Sequence, residues 1–290
     1  MGGPSRGQDT RACYYLKRRK RRQSPMNTQK TRRIVLIAVM AAVLAFAGVT
    51  SAASDDSLAK VKAAGVLRIG VDDAFPPMEY RDDKGKLIGF DVDLADEIGR
   101  RLGVAIEWVP VAWDGVILAL QSGKFDIILS SMTITKERAK QIDFSPPYIW
   151  GAQIIVVREG DKSINTVADL AGKVVGSQLG STGEIAAKKI EGIKELKLYG
   201  QFTEALTDLA IGRLQAVVVD EFVGRYYITK RPGVYRVLPE RLAEEEVGIA
   251  FRKGDNALRE AVCAAVEAIK ADGTYSAISK KWFGVDVLRR

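Results

Sequence analysis

Short apolar runs alternate with amphipathic stretches over most of the chain. VLRIGVD (66–72) predicts a strand. GFDVDLADEIGRRLG (89–103) opens on an acidic turn and spaces Leu94, Ile98 and Leu102 at helical intervals, predicting a helix. IEWVPV (106–111) is a strand pattern, WDGVILALQSG (113–123) a helical one and FDIILSS (125–131) a strand again. The order then recurs: KVVGS (173–177), STGEIAAKKI (181–190), ELKLYG (195–200), FTEALTDLAIG (202–212) and LQAVVVD (214–220). Two βαβαβ units predict an α/β protein with parallel-rich sheets and right-handed crossovers. No sequence repeat relates the halves.

IWGAQIIVVREG (149–160), after Pro146-Pro147, lies between the units, and EEEVGIAFRKG (244–254) follows the second. Both are strand-like, and a long helix (257–271) and a shorter one (276–284) close the chain. If both runs cross between lobes, the C-terminal helices return to the first lobe. The expectation is one lobe from 54–150 with 246–290, a second from 151–245, and two hinge strands around a cleft.

Charge alters the picture at one end only. The formal balance is +8 with no His. Residues 1–53 hold eleven basic residues, six of them in KRRKRR (Lys17 to Arg22), and the single acid Asp9. That leaves 33 basic and 35 acidic residues for 54–290. The unbroken apolar run Ile34 to Val49 and the small residues TSAAS follow. Positive, apolar and small-residue segments in this order form the signal-peptide pattern, with cleavage expected near 52–54. The run falls short of the roughly 20 residues that span a bilayer, and no Cys follows it to take a lipid. Met26 begins a better-proportioned signal, so residues 1–25 read as an extension. KRRKRR alone would suit nucleic acid, but the near-neutral remainder gives that reading no support.

The absent His excludes Ser-His-Asp and Cys-His catalysis and His metal sites. Cys13 and Cys263 form no CxxC pair or zinc set. Cys13 would leave with the signal, and Cys263, inside ALREAVCAAVEAIK, reads as a core thiol. No cofactor and no metal are expected.

Ligands of α/β units collect at the carboxyl ends of strands. Asp72 and Phe75 follow the first strand, where a turn is the plain alternative. Ser130, Ser131 and Thr133 follow the 125–129 run; Thr135 is placed to cap a short helix carrying Arg138. Arg is the side chain best shaped to hold a carboxylate, although most lone Arg residues are solvated surface. Gln178, Ser181 and Thr182 follow 173–177. A helix start there favours an anion, or is an ordinary N-cap with Glu184 completing a capping box. The segment lacks the GK[ST] ending of a phosphate loop. Asp220 ends VVV, where a carboxylate needs a cationic partner, from a ligand or from a neighbouring Arg or Lys. An Arg, a helix start and an Asp together match the two charges of an α-amino acid. Phe75 and Trp113 are placed to sandwich its side chain, with a core role the alternative for Trp113.

The motifs Asp72-x-x-Phe75-x-Pro77, GFDVDLA (89–95), WDGVILALQSGKFDII (113–128), SSMTITKERAKQIDFSPPY (130–148), DLAGKVVGSQLGST (169–182), GRLQAVVVD (212–220) and DGTYSAISKKWFG (272–284) cover essentially all of 58–290. In this order they resemble the family 3 extracellular solute-binding proteins of bacterial polar-amino-acid ABC importers. The resemblance implies the two-lobed periplasmic-binding-protein fold of type II. It implies that Arg138 binds the ligand α-carboxylate, helped by groups like those of Ser131, Thr133 and Thr182, and that Asp220 binds the α-ammonium. Phe75 and Trp113 would flank the side chain, with Asp72 near its far end and Gln178 at a position that varies with specificity. Ser130-Ser131 with Asp72 looks like the lysine/arginine/ornithine and histidine binders. A basic amino acid is therefore expected first, glutamine next and cystine third. The implied partners are a free L-amino acid and an inner-membrane ABC permease, for a periplasmic or extracellular monomer. Two alternatives stay open: a periplasmic cyclohexadienyl-dehydratase-like enzyme, which without His would need a Glu or Asp acid/base, and a membrane-tethered sensor domain. The fold alone does not decide among them.

Overall fold

The computed structural model describes residues 55–288. Helix α1 (Ser57–Ala64) leads into β1 (Val66–Val71), followed by the short strands β2 (Ala74–Phe75), β3 (Glu79–Arg81) and β4 (Leu87–Ile88). Then come α2 (Phe90–Leu102), β5 (Ala105–Pro110), a 3-10 turn at Trp113–Gly115, α3 (Val116–Gln121), β6 (Ile127–Ile128), α4 (Lys136–Gln141) and β7 (Ile142–Phe144). A second series holds β8 (Ile149–Arg158), β9 (Val174–Gln178), α5 (Thr182–Ala187), β10 (Glu195–Tyr199), α6 (Phe202–Ala210), β11 (Ala216–Asp220), α7 (Glu221–Lys230) and β12 (Tyr235–Val247). The chain finishes with β13 (Ala250–Arg252), α8 (Asn256–Ala271) and α9 (Thr274–Phe283).

Two five-stranded sheets result, ordered β5-β1-β6-β13-β7 and β10-β9-β11-β8-β12, with β2-β3-β4 forming a small third. In each large sheet three neighbouring strands are parallel, as the βαβαβ pattern requires, and antiparallel strands complete it. Leu94, Ile98 and Leu102 are all buried on the inner face of α2. Gly89 starts this helix at φ 149, with the Met78 carbonyl oxygen 2.0 Å from where a Cβ would stand. Only glycine lets the chain pass there.

The chain leaves the first sheet after β7 and returns to it at β13. The two crossing segments are bonded to each other. Tyr148 N–H donates to Val247 O (2.9 Å) and Ser145 N–H to Ile249 O (2.9 Å). Ser145 Oγ accepts from Ile249 N–H at 3.0 Å. Of the two runs expected to cross, 149–160 lies in the second sheet as β8, whereas 244–254 passes from the end of β12 at Val247 into β13 of the first sheet.

Some elements differ from expectation. The strand expected over 125–131 is reduced to Ile127–Ile128, because Ser130 to Thr133 turn away toward the cleft. The run expected to begin at 244 begins at Tyr235, with register shifts around Pro239. An edge strand tolerates that irregularity, since Pro there breaks no inner ladder. Helices α1 and α7 and the small sheet were not signalled. Cys263 is half-buried rather than fully enclosed, and burial raises its thiol pKa. The export-signal expectation and Cys13 lie outside the described residues. Among the described residues no helix is long and apolar enough to cross a membrane, and no group of three or more metal-binding side chains is placed to hold an ion.

Candidate ligand cleft

The strand ends of the two sheets face one another, and the polar residues singled out above gather there. Behind β1, Asp72 donates its backbone N–H to Ser130 Oγ (3.0 Å), and Ser130 Oγ donates to Glu79 Oε1 (2.7 Å). Asp72 Oδ2 accepts from Gln178 Nε2, at the end of β9, at 2.7 Å. The Asp72–Gln178 bond therefore joins the two halves. Burial raises the Asp72 pKa, and the Gln178 bond acts against it.

Ser131 is the one non-glycine residue at positive φ (49°) among those described. Asp91 holds it there: Asp91 Oδ2 accepts from Ser131 N–H (3.0 Å) and from the Tyr148 hydroxyl (2.8 Å). The floor of the cleft and the crossing segment thus hang on one buried carboxylate. Burial pushes Asp91 up to about 6, and burial with Asp91 nearby pushes Glu79 well above the carboxylate range.

Thr135 caps α4 as expected, its hydroxyl accepting from Arg138 N–H at 3.1 Å. The Arg138 guanidinium reaches across the cleft. Nη1 donates to Thr133 O (3.0 Å), Nη2 to Gly180 O (3.1 Å), and the group lies 5.5 Å from the centre of the Trp113 ring. Burial lowers its pKa to about 10, so it is a cation at neutral pH. Opposite it, Ser181 caps the six-residue α5 by accepting from Glu184 N–H (3.1 Å), and Glu184 accepts from Gly180 N–H (2.7 Å). The N-cap reading of this segment holds, with Thr182 as the first helical residue, but Glu184 takes the Gly180 N–H and not that of Ser181, so no capping box closes.

Asp220 caps α7, its Oδ1 accepting from Phe222 N–H at 2.8 Å. Burial first, and the neighbouring Glu245 second, push its pKa well above the ordinary range. Arg138 and Asp220 are 8% and 3% exposed, and among the described residues neither is in an ion pair. That is an uncommon state for buried charges.

Phe75, Trp113, Ser131, Thr133, Arg138, Gln178, Thr182 and Asp220 line one narrow space of about 20 Å3. Asp72 and Ser130 stand behind this lining. Trp113 serves both roles considered for it, packing on Val116 and Leu120 while facing the space. Gln153, Ser181 and Phe202 complete the wall. Gln153 and Phe202 were not anticipated, nor was Glu245, which lies just behind. Phe202 brings its ring 5.9 Å from that of Phe75. Glu245 Oε2 accepts from Thr133 Oγ1 and from Gln153 Nε2, each at 3.0 Å.

This architecture, with two α/β halves joined by paired crossings over a polar, aromatic-walled cleft, defines a two-lobed ligand-binding protein. Residues 67–285 match the model of the bacterial extracellular solute-binding proteins, family 3, and the chain belongs to that family. It is 36% identical over 260 residues to the L-cystine-binding protein TcyJ of Escherichia coli K12, covering 89% of this chain and 97% of that one. It is 37% identical over 233 residues to an L-arginine-binding protein of Pseudomonas aeruginosa (76% and 89% covered). A solved structure of an ancestral arginine-binding protein bound to glutamine superimposes with a TM-score of 0.73 at 47% identity, covering 76% of this chain and 98% of that one.

Proposed function

We propose that this protein is the extracytoplasmic amino-acid receptor of an ABC importer, capturing a free polar L-amino acid and presenting it to the inner-membrane permease. The observation that carries the reading is the Arg138/Asp220 pair: a buried base and a buried acid without ion-pair partners among the described residues, on the wall of one cleft. A zwitterion supplies both missing partners. Arg138 takes the α-carboxylate with both arms of its fork, supported by Ser131, Thr133 and Thr182. Asp220 takes the α-ammonium. Groups from both lobes are needed, so the ligand stabilises the closed form selectively.

The ligand side chain lies among Phe75, Trp113 and Phe202 and points toward the Asp72–Gln178 bridge. An acid and an amide there suit a cationic side chain first (arginine, lysine or histidine), an amide (glutamine) second and cystine third. The lobes are 54–150 with 246–290 and 151–245, and the protein works as a monomer. The segment from Met26 directs export, residues 1–25 being an extension before it, and cleavage falls near 52–54. No bond-breaking role is assigned: both cleft carboxylates are engaged in binding, and the chain has no His.

A thermal-shift panel of the twenty amino acids plus cystine tests this. One L-amino acid at a hundred times its Kd should add about 2.7 kcal/mol, or roughly 5–10 °C for a protein of this size. Asp72→Asn should weaken a basic ligand more than a neutral one. A panel without any shift would reject the receptor reading, and equal losses on Asp72→Asn would reject the assigned role of Asp72.

A further inference from the structure

We infer that Gln153 is a ligand-binding residue whose carboxamide oxygen accepts from the α-ammonium beside Asp220, and that Glu245 is the positioning residue that turns this oxygen to the ligand. The inference rests on the amino-acid reading of the cleft and extends it to two side chains outside the recognised motifs.

Gln153 interrupts the apolar run of β8 and is 1% exposed. It faces Asp220 directly across the antiparallel ladder of β8 and β11, and both line the cleft. Cross-strand neighbours on one face reach the same atom. Its Nε2 donates to Glu245 Oε2 (3.0 Å) and to Thr182 Oγ1 (3.3 Å). A carboxylate only accepts, so Glu245 decides which end of the amide faces it. The other end, Oε1, is buried and has no hydrogen-bond partner among the described residues. Such an acceptor is rare in a native interior and points to a donor that arrives from outside.

Two further observations agree. The first turn of α5 carries Gly183 beside that oxygen: a Cβ there would lie 2.8 Å from Oε1. The bare Cα keeps the oxygen's surroundings open. Glu245 Oε2 also accepts from Thr133 Oγ1, which comes from the other lobe. The relay that orients Gln153 is thus complete only when the lobes meet. An ammonium has three protons to place, and Asp220 with Gln153 gives it two acceptors from adjacent strands.

The test is a cycle between protein and ligand. Affinities are measured by calorimetry for L-arginine and 5-guanidinopentanoate, its copy without the α-ammonium, and for L-glutamine and glutaramate. Gln153→Leu should weaken the amino acid that binds by about tenfold to a hundredfold and its desamino copy by less than about threefold. Gly183→Ala, which crowds Oε1 (and Ser177 Oγ) while residue 153 stays Gln, should show the same bias, and Glu245→Gln a smaller one. Circular dichroism checks that each variant is folded. Equal losses on both ligands for Gln153→Leu and Gly183→Ala, or no loss on either, would overturn the inference. Asp220→Asn is run in parallel: if it keeps its bias against the amino acid while the Gln153 variants show none, the amino-acid reading stands and this extension falls. Wild-type protein that binds neither amino acid would remove both.

Discussion

Arg138→Ala is expected to remove ligand binding while leaving the fold in place. On the proposed reading, the lost carboxylate contact is a charge-assisted, bidentate one. Deleting one partner of such a pair costs about 3–5 kcal/mol, roughly a hundredfold to several thousandfold in Kd. The unliganded protein loses two hydrogen bonds, to Thr133 O and Gly180 O, and the contact with the Trp113 ring, but also a buried cation without an ion-pair partner. These effects oppose each other, so its stability should change by no more than about 1 kcal/mol. Arg138→Lys should recover little of the affinity, because an ammonium cannot reproduce the two-pronged geometry. Titration calorimetry, with thermal melts of the unliganded variants, reads both halves. A Kd within tenfold of wild type for Arg138→Ala would place the carboxylate elsewhere.

The second large effect is proton release on binding. In the unliganded protein, burial and Glu245 raise the Asp220 pKa well above its ordinary value. A bound ammonium favours the ionised form and brings that pKa down, so binding expels a proton wherever the free protein still holds one. Affinity should therefore rise with pH up to the raised Asp220 pKa and flatten above it. Stability of the unliganded protein moves the other way. A carboxyl whose folded pKa is raised binds more protons folded than unfolded, so its contribution is present at low pH and lost as pH rises through the folded pKa. Glu79 and Asp91 act in the same direction with or without ligand, so the growth with pH of the ligand-induced gain in Tm comes from Asp220. Calorimetry in buffers of different ionisation enthalpy counts the protons, and Asp220→Asn should remove the Asp220 share. An enthalpy independent of buffer across the range in which affinity changes would contradict this account.

Much of the architecture was legible from period alone. The helix of Leu94, Ile98 and Leu102 and the strands ending at Val71, Gln178 and Asp220 carry clear apolar patterns, and their burial matches. The strand Tyr235–Val247 was only half visible, because an edge strand with Pro239 and exposed charges lacks the alternation of an inner one. Helix Glu221–Lys230 was hidden behind VVVD: its apolar stripe is weak, and only Glu221, Val223 and Gly224 are buried.

The site divided along the same physical line. Searching the carboxyl ends of parallel strands finds Asp72, Arg138, Gln178 and Asp220. It overlooks an antiparallel strand that begins at the same edge, which is where Gln153 sits, and the far end of its long partner, where Glu245 sits. A signal existed for Gln153, the one polar side chain inside the apolar run IWGAQIIVV (149–157) of β8. Glu245 gave none, being the middle of three consecutive glutamates that look like edge charges. Phe202 gave only its place two residues after Gly200, since an aromatic opening a helix reads equally as core.

The central claim is that the cleft holds both charged ends of an amino acid at once. Its most direct test is calorimetry of the wild-type protein at neutral pH with L-arginine against agmatine, L-glutamine against 4-aminobutanamide and L-cystine against cystamine, the first two amines lacking only the carboxylate and cystamine lacking both of cystine's. The account predicts that one of the three amino acids binds and that its amine binds at least about a hundredfold more weakly. An amine that binds as tightly as its parent would contradict it.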